Sequence, residues 1–478
     1  METPLGARPR LRAEPGSRSD AAARTTRWLV VALAGLALLR LWGLDRWGLW
    51  IDEAFTLHDA RALSWTSVTD FPLNLFLTSV WLRFVDGPPS EATLRALPCL
   101  FGILGIVATW WAFEPLLGRR RALVAALIVA LSSYHLFWCQ SARHYTLAQT
   151  LSLVGAGLAL RGLARGRPSG FLAGLSIATM ASFAHPSAAL VVPALLAAPW
   201  LCSRAGVQLA WSPSTRWIGG AALVGLALAA VWGSDVWSEY ASKKGGSSVV
   251  HLALTSGFYY GPPLALAALL GTLDAWKRRD RALVASAVFT LAFGAALLAS
   301  LFAKVAAQYV FVMLPWAAAA ASSIVLPEER RGWLTRAVSI LVIVWGAADV
   351  ALYLTTRHGD RPRWKEAYAL VARSRGPDDL VYGMAAPVGE YYLDPGTSTP
   401  RATVHLAPLT NYDDRRIDTW ARRERRVWIV LNREMFGDWT KEQRERFERF
   451  LRDQCERVRT FPVGMTPRDL DVEVYLRP

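Results

Sequence analysis

The chain has 478 residues, of which 53% are hydrophobic and only 19% charged, with 22 Trp and a mean hydropathy of +0.24. Soluble domains carry about a quarter charged residues, and a disordered chain would leave this much apolar surface unburied, so both give way to a membrane-embedded protein. The formal net charge of +15 is no nucleic-acid signature: residues 357–478 hold 23 Lys+Arg against 20 Asp+Glu, and residues 1–356 hold 30 against 18. That excess gathers in short clusters between apolar stretches, the pattern of cytoplasmic loops under the positive-inside bias.

A polar, basic tail over residues 1–26 opens the chain. With about 17 to 25 apolar residues per crossing, eleven membrane spans are predicted near 28–44, 94–116, 122–139, 145–163, 170–185, 187–203, 217–233, 258–276, 282–302, 308–326 and 333–354. If the N-terminus is cytoplasmic, the loops after every even span are inside, and these hold Arg119–Arg121, Arg161–Arg167, Arg204–Arg216, Lys277–Arg281 and Arg330–Arg336. Parity and charge therefore agree. The first span lacks a cleavage site in its flank LWGLDRWGLW and reads as an anchor. Within the outer loop 45–93, PLNLFLTSVWLRFV at 72–85 is too short to cross comfortably and reads as an interfacial helix. The break between the fifth and sixth spans falls at His185-Pro186.

From about Arg357 the composition turns to short strands and charged helices. Helices are expected at Trp364–Ser374 and Thr440–Arg457, and strands at Leu380–Met384, Arg426–Leu431 and Val472–Leu476, making residues 357–478 a small α/β domain outside the membrane. Cys99, Cys139 and Cys202 lie in apolar runs and Cys455 stands alone, so no disulfide framework or CxxC metal site is drawn.

The chemistry-bearing residues lie on the predicted outer face. Asp52 and Glu53 follow the first span directly, and a carboxylate near lipid is costly unless paired, hydrated or bound to a cation. The plain structural alternative is a pair of acids favoured by the dipole at a helix N-terminus. Asp70, in the same loop, is a candidate to line one cavity with Asp52, as metal ligand and general base respectively. Arg143 sits in the polar knot Cys139–Tyr145 between two spans. A guanidinium there suits a lipid-linked phosphate, because it pairs two phosphate oxygens at once. The alternative is an arginine snorkelling to headgroups. Lys304, Gln308 and Tyr309 form a similar outer turn, and Asp235, Glu239, Lys243, Lys244 and His251 populate the 234–257 loop. Of these His251 is a possible metal ligand, although a lone histidine usually is not one.

The order LWIDEAFTLHDA, DFPLNLFLTSVWLRF, LRALPCLFGILGI, GRRRALVAALIVALSSYHLFWCQSARHYTLAQTLSL resembles the bacterial membrane glycosyltransferases of the protein O-mannosyltransferase and lipid A aminoarabinose transferase type, which have the GT-C fold. The resemblance covers roughly residues 27–165 and continues more loosely to the closing DVEVYLRP. It implies transfer of a sugar, with inversion, from a polyprenyl-phosphate donor to an acceptor protein, lipid or glycan on the outer face. It assigns Asp52 to activating the acceptor, Glu53 as its motif neighbour, and Arg143 and Tyr145 to the neighbourhood of the donor phosphate. The family often has His-Pro-Pro where this chain has Asp70-Phe71-Pro72-Leu73, and Arg-Tyr where it has Gln308-Tyr309, which makes Lys304 a substitute cation. Some relatives use a divalent metal; Asp70 and His251 are the candidate ligands here, without a dedicated metal motif, and no nucleotide cofactor is expected. The rival reading from another class is a polytopic transporter or lipid flippase. It is disfavoured because no internal repeat is seen and the charges concentrate at span ends. A non-catalytic relative serving in an assembly is the third.

Overall fold

The computed structural model describes residues 15–63, 71–207, 220, 248–303, 305–325, 332–357, 361–383, 386–393, 404–405, 426–436, 439–464 and 469–478. Its membrane part is a helical bundle made of α1 (Pro15–Leu38), α2 (Ile51–Arg61), α3 (Pro72–Leu82), α4 (Glu91–Ala130), α5 (Ser133–Cys139), α6 (Tyr145–Ala164), α7 (Pro168–Met180), α8 (Val191–Arg204), α9 (Val249–Tyr260), α10 (Pro262–Arg278), α11 (Ala282–Ala299), α12 (Leu314–Val325) and α13 (Trp333–Leu352). Among the described residues six helical stretches are long and apolar enough to cross a membrane: Glu91–Ala130, Tyr145–Ala164, Pro186–Arg204, Ala282–Ala299, Ala307–Val325 and Trp333–Thr356. The chain is therefore a multi-pass membrane protein.

The sequence predicts eleven spans, and where the described helices differ from them the causes are local. The predicted second span and the first half of the third lie along α4, which is broken where Gly118 takes φ 73 and ψ 161, a left-handed conformation open to glycine, and the rest of the third is α5. The predicted eighth span is interrupted at Gly261 (φ 87) just before Pro262, giving α9 and α10 in its place. The predicted fifth span is a shorter apolar helix, Pro168–Phe183. The seventh, 217–233, falls outside the described residues apart from position 220. Helix α3 has 11 residues, about 16 Å at 1.5 Å per residue, so it is too short to cross.

Two of the basic loops meet in the described structure. Arg121 donates to Asp280 Oδ2 at 3.1 Å, joining two of the clusters assigned to one side by charge. Lipid-facing positions carry large apolar side chains, among them Trp28, Leu38, Trp42, Leu269, Trp276 and Ile340.

The C-terminal domain is built on a five-stranded sheet in the order β2-β1-β3-β5-β4. Its elements are α14 (Trp364–Ser374), β1 (Leu380–Gly383), α15 (Ala386–Leu393), β2 (Val404–His405), β3 (Val427–Asn432), α16 (Lys441–Gln454), β4 (Glu456–Phe461) and β5 (Val472–Arg477). Strands β1, β2 and β3 are parallel, while β5 pairs antiparallel with β3 and β4. All six residues of β3 are buried, as a central strand covered on both faces requires. Leu380, Ile429 and Leu431 meet Phe447 and Phe450 of α16 on one face; Val381, Trp428 and Val430 meet Trp364, Tyr368 and Val371 of α14 on the other. The second face also takes in Ala54 of α2, so this domain packs directly on the helix that carries Asp52 and Glu53. The predicted helix Thr440–Arg457 stops at Gln454, and its last residues are already strand β4.

Candidate active site

Helix α2 starts as soon as the chain leaves the loop after α1. Trp50 is its N-cap, and Glu53 at the third helical position reaches back to accept from Trp50 N at 2.9 Å. One helical step separates Asp52 from Glu53, about 100° around the axis, and that step sends the two carboxylates into different environments. Glu53 points inward and is fully buried. Its Oε1 accepts from Arg95 Nε and from Ala142 N, each at 2.8 Å, and its Oε2 accepts from Arg95 Nη2 at 2.8 Å. Arg361 Nη1 stands 3.7 Å from Oε2. Burial works to raise the Glu53 pKa, but the Arg95 and Arg361 charges with these hydrogen bonds outweigh it and hold it down to about 2. Arg95 completes its set by donating to Leu44 O, Trp47 O and Gly48 O, each at 2.8 Å. Every N–H of that guanidinium is thereby used.

Asp52 faces the other way, with its side chain 35% exposed and Arg143 Nη2 3.8 Å from Oδ2. Arg143 Nη1 donates to Asp52 O at 2.9 Å and to Thr56 Oγ1 at 3.0 Å. Its Nε is buried without a partner among the described residues. The knot that carries Arg143 is tied from several sides. Gln140 donates to Arg40 O and Trp42 O, Tyr353 Oη donates to Gln140 Oε1, and Arg361 Nη2 donates to Gln140 O and Ser141 Oγ. Arg143 is thus fixed to the bundle and to the C-terminal domain at once.

Beside Arg143 lies a stack of rings: Phe71 on His144 at 4.0 Å between centroids, and His144 on His185 at 4.6 Å. Tyr145 and Tyr309 each approach His185 to 5.0 Å. The Tyr145 hydroxyl is hydrogen-bonded to Gln308. Ser187 N donates to His185 Nδ1 at 3.1 Å, so the proton of the neutral ring sits on Nε2. Burial, then the Arg143 charge, holds His185 down to about 3, which keeps the ring neutral. That Nε2–H is buried and has no partner among the described residues, and the same holds for the Nε2 of His144.

Of the residues picked from the sequence, Asp52, Arg143, Tyr145, Gln308 and Tyr309 come together. Glu53 is beside them in sequence only: its carboxylate is fully engaged in the interior, where proton transfer to a substrate is barred. Asp70 and Lys304 lie outside the described residues. His251 is exposed, in the first turn of α9. Among the described residues no group of three or more His, Cys, Asp and Glu is placed to hold a metal ion. His144 lies in the polar knot and His185 at the predicted span break, and a His-Pro pair inside an apolar run is a legible signal. Arg95, at the start of an apolar run, and Arg361, in the distant domain, were not read as partners of Glu53.

No protein-family model matches the chain, and no curated protein matches it. Solved structures do. ArnT from Cupriavidus metallidurans bound to undecaprenyl phosphate is 14% identical, with a TM-score of 0.56 over 94% of this chain and 98% of that one. The Archaeoglobus fulgidus oligosaccharyltransferase tethered with an acceptor peptide is 12% identical, with a TM-score of 0.52 over 85% of this chain and 69% of that one. The oligosaccharyltransferase AglB from the same organism, in complex with an inhibitory peptide and a dolichol-phosphate, is 10% identical, with a TM-score of 0.51. At such identities likeness speaks for architecture, and along nearly its whole length the chain has a GT-C-like fold, the fold of ArnT.

Proposed function

We propose that the protein is a membrane glycosyltransferase that moves a sugar from a polyprenyl-phosphate donor to an acceptor hydroxyl, with inversion at the anomeric carbon. The observation that carries this reading is the opposition of Asp52, a half-buried carboxylate, to Arg143 at 3.8 Å, with the Nε2–H of His185, unpartnered among the described residues, in the adjoining ring stack. One side of this site attracts a proton and the other attracts an anion. The lipids in the ArnT and AglB structures, undecaprenyl phosphate and dolichol-phosphate, fit the anion side.

In this reaction the acceptor oxygen attacks the anomeric carbon and its proton passes to Asp52. The bond from the anomeric carbon to the phosphate oxygen breaks, and its electron pair leaves with the polyprenyl phosphate. Arg143 supplies two N–H groups to that anion, and the buried Nε2–H of His185 supplies a neutral donor away from bulk water, where such a bond is strongest. Tyr145, held by Gln308, and Tyr309 pack against His185. The donor carries its own leaving group, so no nucleotide is required. Glu53 belongs to the frame that orients Asp52. By loop charge, the N-terminus is assigned to the cytoplasm and the site with its C-terminal domain to the outer face of the plasma membrane.

The test incubates membranes containing the protein with radiolabelled polyprenyl phosphate sugars and follows which label moves, and onto what. Label transfer that Asp52→Asn abolishes is the expected result. Failure of every donor to transfer label, with the protein intact, would overturn the assignment.

A further inference from the structure

A cleft of about 560 Å3 opens between the loop after α1, helix α14 and strand β4. Five cations line it, Arg46, Arg363, Lys365, Arg373 and Arg459, and among its described lining residues Glu366 is the one carboxylate. Two of the five are engaged with acids: Lys365 Nζ lies 2.9 Å from Glu91 Oε1, and Arg363 Nε donates to Glu366 at 2.8 Å. The others have no carboxylate partner among the described residues. Arg46 donates to Leu354 O and lies over the Trp47 ring, Arg373 donates to Ala369 O, and Arg459 lies over Phe461. Three guanidinium groups thus share one cavity with no carboxylate paired to them among the described residues.

The cleft lies against the bundle. Arg46 follows the end of α1, whose neighbours Leu38, Leu41 and Trp42 are 64%, 50% and 64% exposed. Its partner Leu354 sits at the end of the last span, whose Ile340, Leu341 and Val344 are also exposed. Exposed Trp beside Arg marks the depth of lipid headgroups, and apolar flanks beneath a basic cavity are the surface an acyl chain covers. Cations at that depth each favour an anionic headgroup by roughly fivefold.

We propose that this cleft binds the phosphate headgroup of an anionic phospholipid from the leaflet on the side of the C-terminal domain, with its acyl chains along α1 and α13. The lipid ties the C-terminal domain to the membrane and is separate from any donor at Asp52 and Arg143. This holds whether or not the protein transfers sugar.

The full-length protein is placed in nanodiscs of phosphatidylcholine with a minor share of phosphatidylglycerol, transferred to neutral detergent, and the retained lipid is counted by native mass spectrometry. Wild type is expected to retain phosphatidylglycerol selectively, less so as salt rises. The triple variant Arg363→Glu, Arg373→Glu, Arg459→Glu spares Arg46 and Lys365, which hold the domain in place, and is expected to lose at least tenfold. Glu366→Gln removes the one opposing charge and is expected to retain about two- to threefold more, a gain that misfolding cannot imitate. Equal retention of both lipids by wild type, or no change in either variant, overturns the site. Glycerol phosphate displacing the lipid at equal concentration assigns the cleft to a soluble phosphate and overturns the lipid reading.

Discussion

Glu53 and Arg95 are joined by two N–H···O bonds of 2.8 Å to separate carboxylate oxygens, with both side chains fully buried. The pair holds the N-terminus of α2 against the loop after α1 and, through Ala142 N, against the Arg143 knot. Removing one member leaves the other charged without its counter-ion in the interior, at a cost of about 3–5 kcal/mol. Glu53→Gln should therefore lower the thermal midpoint in detergent by several degrees and reduce the yield of folded protein. By linkage, a carboxylate held at about 2 against about 4.3 unfolded contributes stability above the unfolded value and loses it as pH falls towards 2. A Glu53→Gln protein as stable as wild type at neutral pH would remove Glu53 from the frame.

Asp52 gives the opposite pattern, because the one ion pair of its carboxylate among the described residues is the 3.8 Å approach of Arg143. Asp52→Asn keeps size and most hydrogen bonding but loses the basic oxygen. Turnover should fall by roughly 100-fold or more, with the thermal midpoint and donor-lipid binding unchanged. Normal turnover at matched expression would leave Asp52 as a first-turn acid favoured by the helix dipole and no more.

The sequence shows that two adjacent acids stand at the end of a span, but not which of them is free. That division depends on Arg95 and on Arg361, far away in the chain and brought in only by the fold. In the C-terminal domain, Trp364–Ser374 was legible because Pro362 precedes it and its apolar residues fall on one face; the helix matches the expected bounds. Strand β4 was hidden because its first four residues are exposed, and Glu456-Arg457 reads as a continuation of the charged helix before it. The spans were legible as hydropathy, yet Gly118 and Gly261 redraw their boundaries through backbone angles that hydropathy does not weigh. The ring stack of His144 and His185 joins segments whose proximity no local pattern encodes.

Arg143→Ala should weaken use of the lipid-linked donor more than Arg143→Lys does. Lysine restores a point charge but lacks the fork that meets two phosphate oxygens, and it cannot keep both bonds of Nη1 to Asp52 O and Thr56 Oγ1. The readout is the donor KM against kcat in both variants. Near-wild-type values in both would reduce Arg143 to a headgroup anchor.

His144 and His185 are buried and neutral, so they carry a pH signature. Burial, then His185 and Arg143, holds His144 well below its ordinary range, and His185 is held down to about 3. In the unfolded chain both titrate near about 6.5. The unfolded state then binds more protons below that pH, and stability falls on acidification by up to about 1.4 kcal/mol per pH unit for each ring. Thermal midpoints measured from pH 7.5 to pH 5 should fall less steeply in His144→Phe with His185→Asn, where Asn retains an acceptor for Ser187 N. Identical slopes would mean that the rings take up protons in the folded protein.

Orientation is the last point open to test. The contact between Arg121 and Asp280 brings together the loops after the predicted second and eighth spans, which the alternation of inside and outside requires to share one face. Arg143, Asp52 and the C-terminal domain cluster at the ends of the helices away from those loops. The positive-inside bias makes the basic face cytoplasmic. A reporter fused after Tyr353 should then lie outside the cytoplasm, and one fused at Arg279 inside. Both reporters on one side would break the shared parity of the basic loops and the last span. A cytoplasmic tail with an outer Arg279 would turn the molecule over, placing Asp52 and its acceptor in the cytoplasm.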